Sequence, residues 1–132
     1  TRFGDPETEV VLPRLKSDLF DIMSKCIDGN LSEGDLLWND EKCVTVVLAS
    51  GGYPESYEKG KEITGLNDVD DDIVIFHGGT KLRDNKIVTD GGRVLAVTAL
   101  GTTLDQARSK VYKNIPKIHY EKMEYRKDIA KV

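Results

Sequence analysis

Apolar and polar positions alternate along the chain in three different rhythms. Between Asp5 and about Asp28 the spacing is helical, with Asp5 placed to cap the N-terminus and Pro6 at the first helical position, where its missing N–H costs nothing. Pro13 should bend or break that helix. Beyond it, Leu15, Leu19, Ile22, Met23 and Cys26 recur at intervals of three and four and define one apolar face, which ends at Gly29 and needs a partner surface. After a short apolar patch at Leu36-Leu37-Trp38, the run Cys43-Val44-Thr45-Val46-Val47-Leu48-Ala49 is dense in β-branched residues and stops at Gly51-Gly52; it predicts a central, buried strand.

From Asp70 to Gly101 the rhythm is that of short strands punctuated by glycine pairs. Ile73 to Phe76 is one strand, Lys81-Leu82 and Lys86-Ile87-Val88 flank a turn at Arg83-Asp84-Asn85, and Arg93 to Ala99 is another, together suggesting a small antiparallel sheet. Helical spacing then returns. Thr102 or Thr103 caps a segment whose Leu104, Ala107, Val111 and Ile115 share a face, with Pro116 disturbing the last turn. This helix should cover one side of the sheet, and the polar tail from Tyr120 should make a short turn near Tyr125-Arg126-Asp128 and then fray. A helix, then strands, then a helix gives an α+β class rather than a repeated βαβ winding.

Composition narrows the range of functions. A chain of 132 residues suits one domain, or one compact domain plus a piece of another. The formal net charge of -4, with both signs interspersed and no basic run, describes an ordinary surface and predicts no nucleic-acid or membrane partner. The longest apolar stretch falls far short of the roughly 20 residues of a membrane helix, so a cytoplasmic protein is expected. Cys26 and Cys43 lack the spacing of a disulfide framework and are expected to be free thiols packed in the core.

Candidate chemistry gathers at the glycine pairs Gly51-Gly52, Gly78-Gly79 and Gly91-Gly92. Each can be a tight turn, or a place where backbone N–H groups approach an anion with no Cβ in the way. On the second reading Lys81 and Arg93, just after such turns on neighbouring strands, converge on a phosphate. None of the pairs fits a P-loop or dinucleotide fingerprint, which require a following helix. His77 could bind an anion or move a proton, but a hydrogen-bonded structural histidine is the commoner case; His119 has no companion ligand. The acidic run Asp68, Asp70, Asp71 and Asp72 lacks the ligand spacing of a calcium loop and reads as a solvated turn. No serine has a base and orienter beside it, and no metal-ligand spacing is present. At the N-terminus stand Arg2, Asp5, Glu7 and Glu9, of which Asp5 or Glu7 could favour the positive end of a helix, or such a carboxylate could receive a substrate amine or sit behind a metal site.

The same residues, read as words, resemble the phosphoribosylamine-glycine ligase family of ATP-grasp enzymes over nearly the whole chain. The words are Arg2-Phe3-Gly4-Asp5-Pro6-Glu7-Thr8-Glu9, Arg14 to Leu19, Val46 to Pro54, Ser56 to Gly60, Phe76-His77-Gly78-Gly79-Thr80-Lys81, Gly91 to Leu95, Val97 to Gly101 and Tyr125 to Ile129. Glu55, Gly78, Asp90 and Ala96 depart from the usual residues, and none removes a charged candidate.

The resemblance implies an enzyme that joins glycine to 5-phosphoribosylamine with ATP and Mg2+ or Mn2+, through a glycyl phosphate, in purine biosynthesis. It implies residues 1–30 as the end of an ATP-grasp domain and residues 31–132 as the C-terminal domain, a small, mainly antiparallel, rudimentary single-hybrid-like β structure with a covering helix. The family's last metal ligands precede the Arg2-Phe3-Gly4-Asp5-Pro6-Glu7 word, so the chain alone is expected to hold no complete catalytic centre, bind no metal or ATP, and depend on the remainder of the same polypeptide. By the same analogy Asp5 would meet the phosphoribosylamine amine, with Arg2, Lys81 and Arg93 toward its 5-phosphate. The alternative is a stand-alone, non-catalytic binding module of the same fold.

Overall fold

The computed structural model describes residues 3–131. Strict alternation in the best strand decides where the core sits. In β1 (Lys42–Ser50) the side chains of Val44, Val46, Leu48 and Ser50 are buried and the intervening ones are not, as period-2 geometry requires of a strand pressed against a layer on one face. Its antiparallel neighbour β5 (Arg93–Gly101) is buried almost throughout and pairs Val46 with Val97 and Leu48 with Leu95. β2 (Ile73–His77) lies on the far side of β5, and β6 (Met123–Glu124) pairs with Ala49 and Ser50 of β1, giving the order β2-β5-β1-β6. β1 is therefore an interior strand, as its composition predicts.

The remaining strands correct one expectation. β3 (Thr80–Arg83) and β4 (Lys86–Thr89) form a separate two-stranded ladder instead of joining the main sheet. Their turn has positive φ at both Asp84 and Asn85, the geometry that matches strand twist in a two-residue hairpin.

One face of the sheet is covered by α3 (Leu104–Asn114), capped by Thr103, whose hydroxyl accepts from the Gln106 N–H. Ala107, Val111 and Ile115 are fully buried on the predicted stripe, and Pro116 falls in a 3-10 turn that follows. The acidic run is not merely solvated. Asp70 pairs with Lys117 (2.6 Å) and Lys113 (3.1 Å), and Asp72 with Lys110 (2.7 Å), tying the loop before β2 to α3. Lys117, the buried Asn114 and Lys113 hold the Asp70 carboxyl well below the usual carboxylate range. The tail is also more ordered than its polarity suggests: Tyr120 is 1% exposed and gives its hydroxyl to the Ala49 carbonyl, and Arg108 and Tyr112 of α3 grip residues 126–129.

The opposite face carries the N-terminal segment, and here the long helix is corrected. Asp5 is not the cap: α1 is only Thr8–Val11, preceded by Glu7, and Pro13 lies in a 3-10 turn over Leu12–Arg14. α2 (Leu19–Asp28) starts afresh because Asp18 accepts from the N–H groups of Phe20 and Asp21, and it ends at Gly29 in the left-handed region. α1 packs on β1 and β5, whereas α2 has no buried residue. Cys26, on α2, is exposed and Cys43 is half-buried, so both are free thiols but neither is in the core. Among the described residues no helix is long and apolar enough to cross a membrane.

Candidate functional site

The best-organised polar cluster forms where β5 begins. Ser50, ending β1, donates its N–H to the Gly92 carbonyl and its hydroxyl to that of Gly91 (both 2.8 Å), fastening the glycine turn to the neighbouring strand. The ring of Tyr53 lies directly on Gly92, in space that any Cβ there would occupy. This ring and the N-terminal segment hold Arg93 between them. Its Nε donates to the Tyr53 hydroxyl (3.1 Å), its Nη1 donates to the Asp5 carbonyl (2.7 Å), and Nη1 lies 3.2 Å from Asp5 Oδ1. The bonds to Tyr53 and then Asp5 raise the guanidinium pKa above its ordinary range and keep it charged.

Arg93 lines two depressions. A narrow one of about 40 Å³ runs between Asp5, Glu9, Val47, Phe76 and Arg93. A wider cleft of about 430 Å³ opens on its other side, walled by Tyr53, Arg93, Glu124, Tyr125 and Arg126 and floored by Val47. A volume of this order suits a small-molecule ligand.

The sequence-predicted residues separate here. Asp5 and Arg93 are brought together, although 88 positions apart. Arg2 lies outside the described residues. Lys81 sits on the β3–β4 hairpin, exposed and paired in the ladder with Val88; among the described residues its side chain has no hydrogen bond or ion pair, and it lines neither depression. The anion reading of Gly78-Gly79 is closed, because both N–H groups point at the Val94 carbonyl (3.0 and 3.1 Å) and Gly79 packs on the bare backbone of Gly91. His77 shares a hydrogen bond with Thr80 Oγ1 (3.0 Å), the structural role. Among the described residues no group of three His, Cys, Asp or Glu stands close enough to hold a metal ion.

Three residues were not singled out from sequence as parts of this cluster. Tyr53 and Arg126 each stood inside a recognised word, and the available signal was an aromatic or guanidinium side chain following a turn. Glu9 was noted among the N-terminal acids, but only the fold shows that its Oε2 is buried with no hydrogen-bond partner among the described residues. Such an orphan acceptor beside a cleft is a candidate ligand contact.

Comparison with known proteins bears on all of this. Residues 43–132 match the family described as "Phosphoribosylglycinamide synthetase, C domain". A phosphoribosylamine-glycine ligase of Halalkalibacterium halodurans is 49% identical over 129 residues, covering 98% of this chain and 30% of the relative. A trifunctional purine biosynthetic protein adenosine-3 of Gallus gallus is 48% identical over 98% of this chain and 13% of its own length. The crystal structure of a phosphoribosylamine-glycine ligase from Thermotoga maritima superposes with a TM-score of 0.84 at 38% identity, over 97% of this chain and 31% of that one. The chain thus spans less than a third of the length of these relatives.

Proposed function

We propose, on the premise that this chain belongs to the phosphoribosylglycinamide synthetase C-domain family, that it is the C-terminal part of a phosphoribosylamine-glycine ligase. On this reading residues 1–30 close an ATP-grasp domain and residues 31–132 form the C-terminal domain. The whole enzyme, working in the cytoplasm, uses ATP with Mg2+ or Mn2+ to ligate glycine to 5-phosphoribosylamine. That relatives carry this stretch within far longer chains supports a part of an enzyme over a separate binding module. The exposed apolar residues of α2, Phe20 and Ile27, fit the same view, since the remainder of the polypeptide would supply the surface they lack.

The observation that carries the site assignment is the fixed guanidinium of Arg93 at the mouth of a roomy cleft. Its two edges do different work. Nη1 holds Asp5, leaving that carboxylate oriented to accept from the substrate amine. Nη2, which has no acceptor among the described residues, remains for the 5-phosphate. Arg2 and Lys81 stay as further candidates for the phosphate, with Lys81 needing to swing from its hairpin to reach it.

Arg93→Ala in a full-length ligase carrying this segment should raise the KM for phosphoribosylamine about tenfold or more, corresponding to about 1.5–3 kcal/mol for a charged hydrogen bond. The KM values for glycine and ATP should hold. An unchanged phosphoribosylamine KM would overturn the assignment.

A further inference from the structure

We propose that Arg126 is a second anion-binding residue of the Arg93 cleft, and that the two guanidinium groups together seat the phosphate monoester of a pentose phosphate. The inference rests on the reading of Arg93 given above and adds a residue which that reading does not include.

Arg126 lines the wider cleft together with Arg93, Tyr53 and Tyr125. It lies in an exposed, charged tail segment of the sort that ordinarily frays. Instead, the segment is pinned to α3 at Arg126 and just beyond it, and to β1 just before it through β6. The Tyr112 hydroxyl donates to the Arg126 carbonyl (2.7 Å) and accepts from the Ile129 N–H (3.1 Å). Arg108 donates from Nε to the Ile129 carbonyl and from Nη2 to the Lys127 carbonyl (both 3.0 Å), while its guanidinium lies 4.6 Å from the centre of the Tyr112 ring. The backbone carrying Arg126 is thereby fixed relative to the sheet.

The exposed side chain has a partner of its own. Asp128 takes Nε (3.0 Å) and Nη2 (2.7 Å) in a two-pronged grip, which leaves Nη1 without an acceptor among the described residues. Arg93 is in the corresponding state, with Nε on Tyr53, Nη1 on Asp5 and Nη2 open. Each guanidinium is therefore paired with a carboxylate, keeps one NH2 group without an acceptor among the described residues, and belongs to a residue that lines the same cleft. A phosphate, with several acceptor oxygens, can receive from both at once. Because each arginine already has a carboxylate partner, net positive charge is small, and Glu124 on the same wall adds a negative charge suited to a hydroxyl or amine. Affinity must come from the placement of the two forks, so lysine should not replace arginine at position 126.

The test is calorimetric titration of a full-length ligase carrying this segment with ribose 5-phosphate, and with ribose as the control lacking the anion. The unaltered ligase should bind ribose 5-phosphate and not ribose. R126A and R126K should each weaken binding by at least about fivefold, a loss expected of one charge-assisted hydrogen bond, with the thermal unfolding midpoint unchanged. D128N should weaken it less than R126A, because the fork loses its guide and keeps its charge. If R93A weakens binding while R126A and R126K leave it intact, this inference falls and the assignment of Arg93 stands. If the unaltered ligase does not distinguish ribose 5-phosphate from ribose, the two-arginine seat falls, while the kinetic test of Arg93 in the full-length ligase remains separate.

Discussion

Residues 42–131 and residues 3–41 follow equally clear hydrophobic patterns and reach opposite outcomes. Every buried hydrophobic side chain lies in the first region, from Val44 to Tyr120, where sheet and α3 close on each other. In the second, α2 has an amphipathic pattern and good caps at both ends, yet Phe20 is 77% exposed and Ile27 86%. Periodicity and capping are local properties and specify a helix; burial depends on what the helix meets. α1 finds its surface on β1 and β5, whereas α2 buries no residue among those described.

The contrast can be tested first by deleting methyl groups. Leu48→Ala, in the centre of the buried layer, should cost about 2–5 kcal/mol, whereas Ile27→Ala should fall within about 0.5 kcal/mol of zero. Chemical denaturation measures both, and a comparable loss at Ile27 would mean that α2 is covered in solution. A finer probe uses two glycines that share a left-handed backbone. Gly65 has φ +79° and a Cβ there would strike the Lys117 carbonyl, while Gly29 has φ +71° and open space around it. Gly65→Ala should cost several times more than the roughly 1–2 kcal/mol expected at Gly29 for the backbone alone. Equal losses would show that the loop against the 3-10 turn at residues 115–117 gives way freely.

The smallest effect is chemical. Cys26 is exposed on α2, whereas burial pushes the Cys43 thiol up to about 11. Iodoacetamide at pH 8 should therefore modify Cys26 at least about tenfold faster, because only the thiolate attacks. Since the folded-state pKa of Cys43 lies above its unfolded value, the contribution to stability is fully present below the ordinary thiol pKa. It is lost as the pH rises toward about 11. Rapid Cys43 labelling at neutral pH, read by peptide mass mapping, would show that the face around β1 opens.

Much of the fold was legible because it rests on local rules. The β-branched run of β1, the Asp84-Asn85 turn, the Thr103 cap and the Ala107-Val111-Ile115 stripe each needed only a few neighbouring residues. The separate β3–β4 ladder and the packed tail were not legible, since both depend on partners far along the chain: Gly79 against Gly91, and Arg126 to Ile129 against Arg108 and Tyr112. The site divides in the same way. Arg93 announced itself by charge and by its position after a glycine pair. Its partner Asp5 was noticed for other reasons, and Lys81, equally prominent in sequence, stands on a different ladder.

The contact between Tyr53 and Gly92 gives a position without a functional group control over one that has it. A methyl group at residue 92 would evict the ring, and the ring's hydroxyl is one of the two holds on Arg93. The cleft is thus sensitive at a point that neither touches a ligand nor carries charge. The gap left by a missing side chain is itself a moulded part of the proposed binding surface, filled by an aromatic ring.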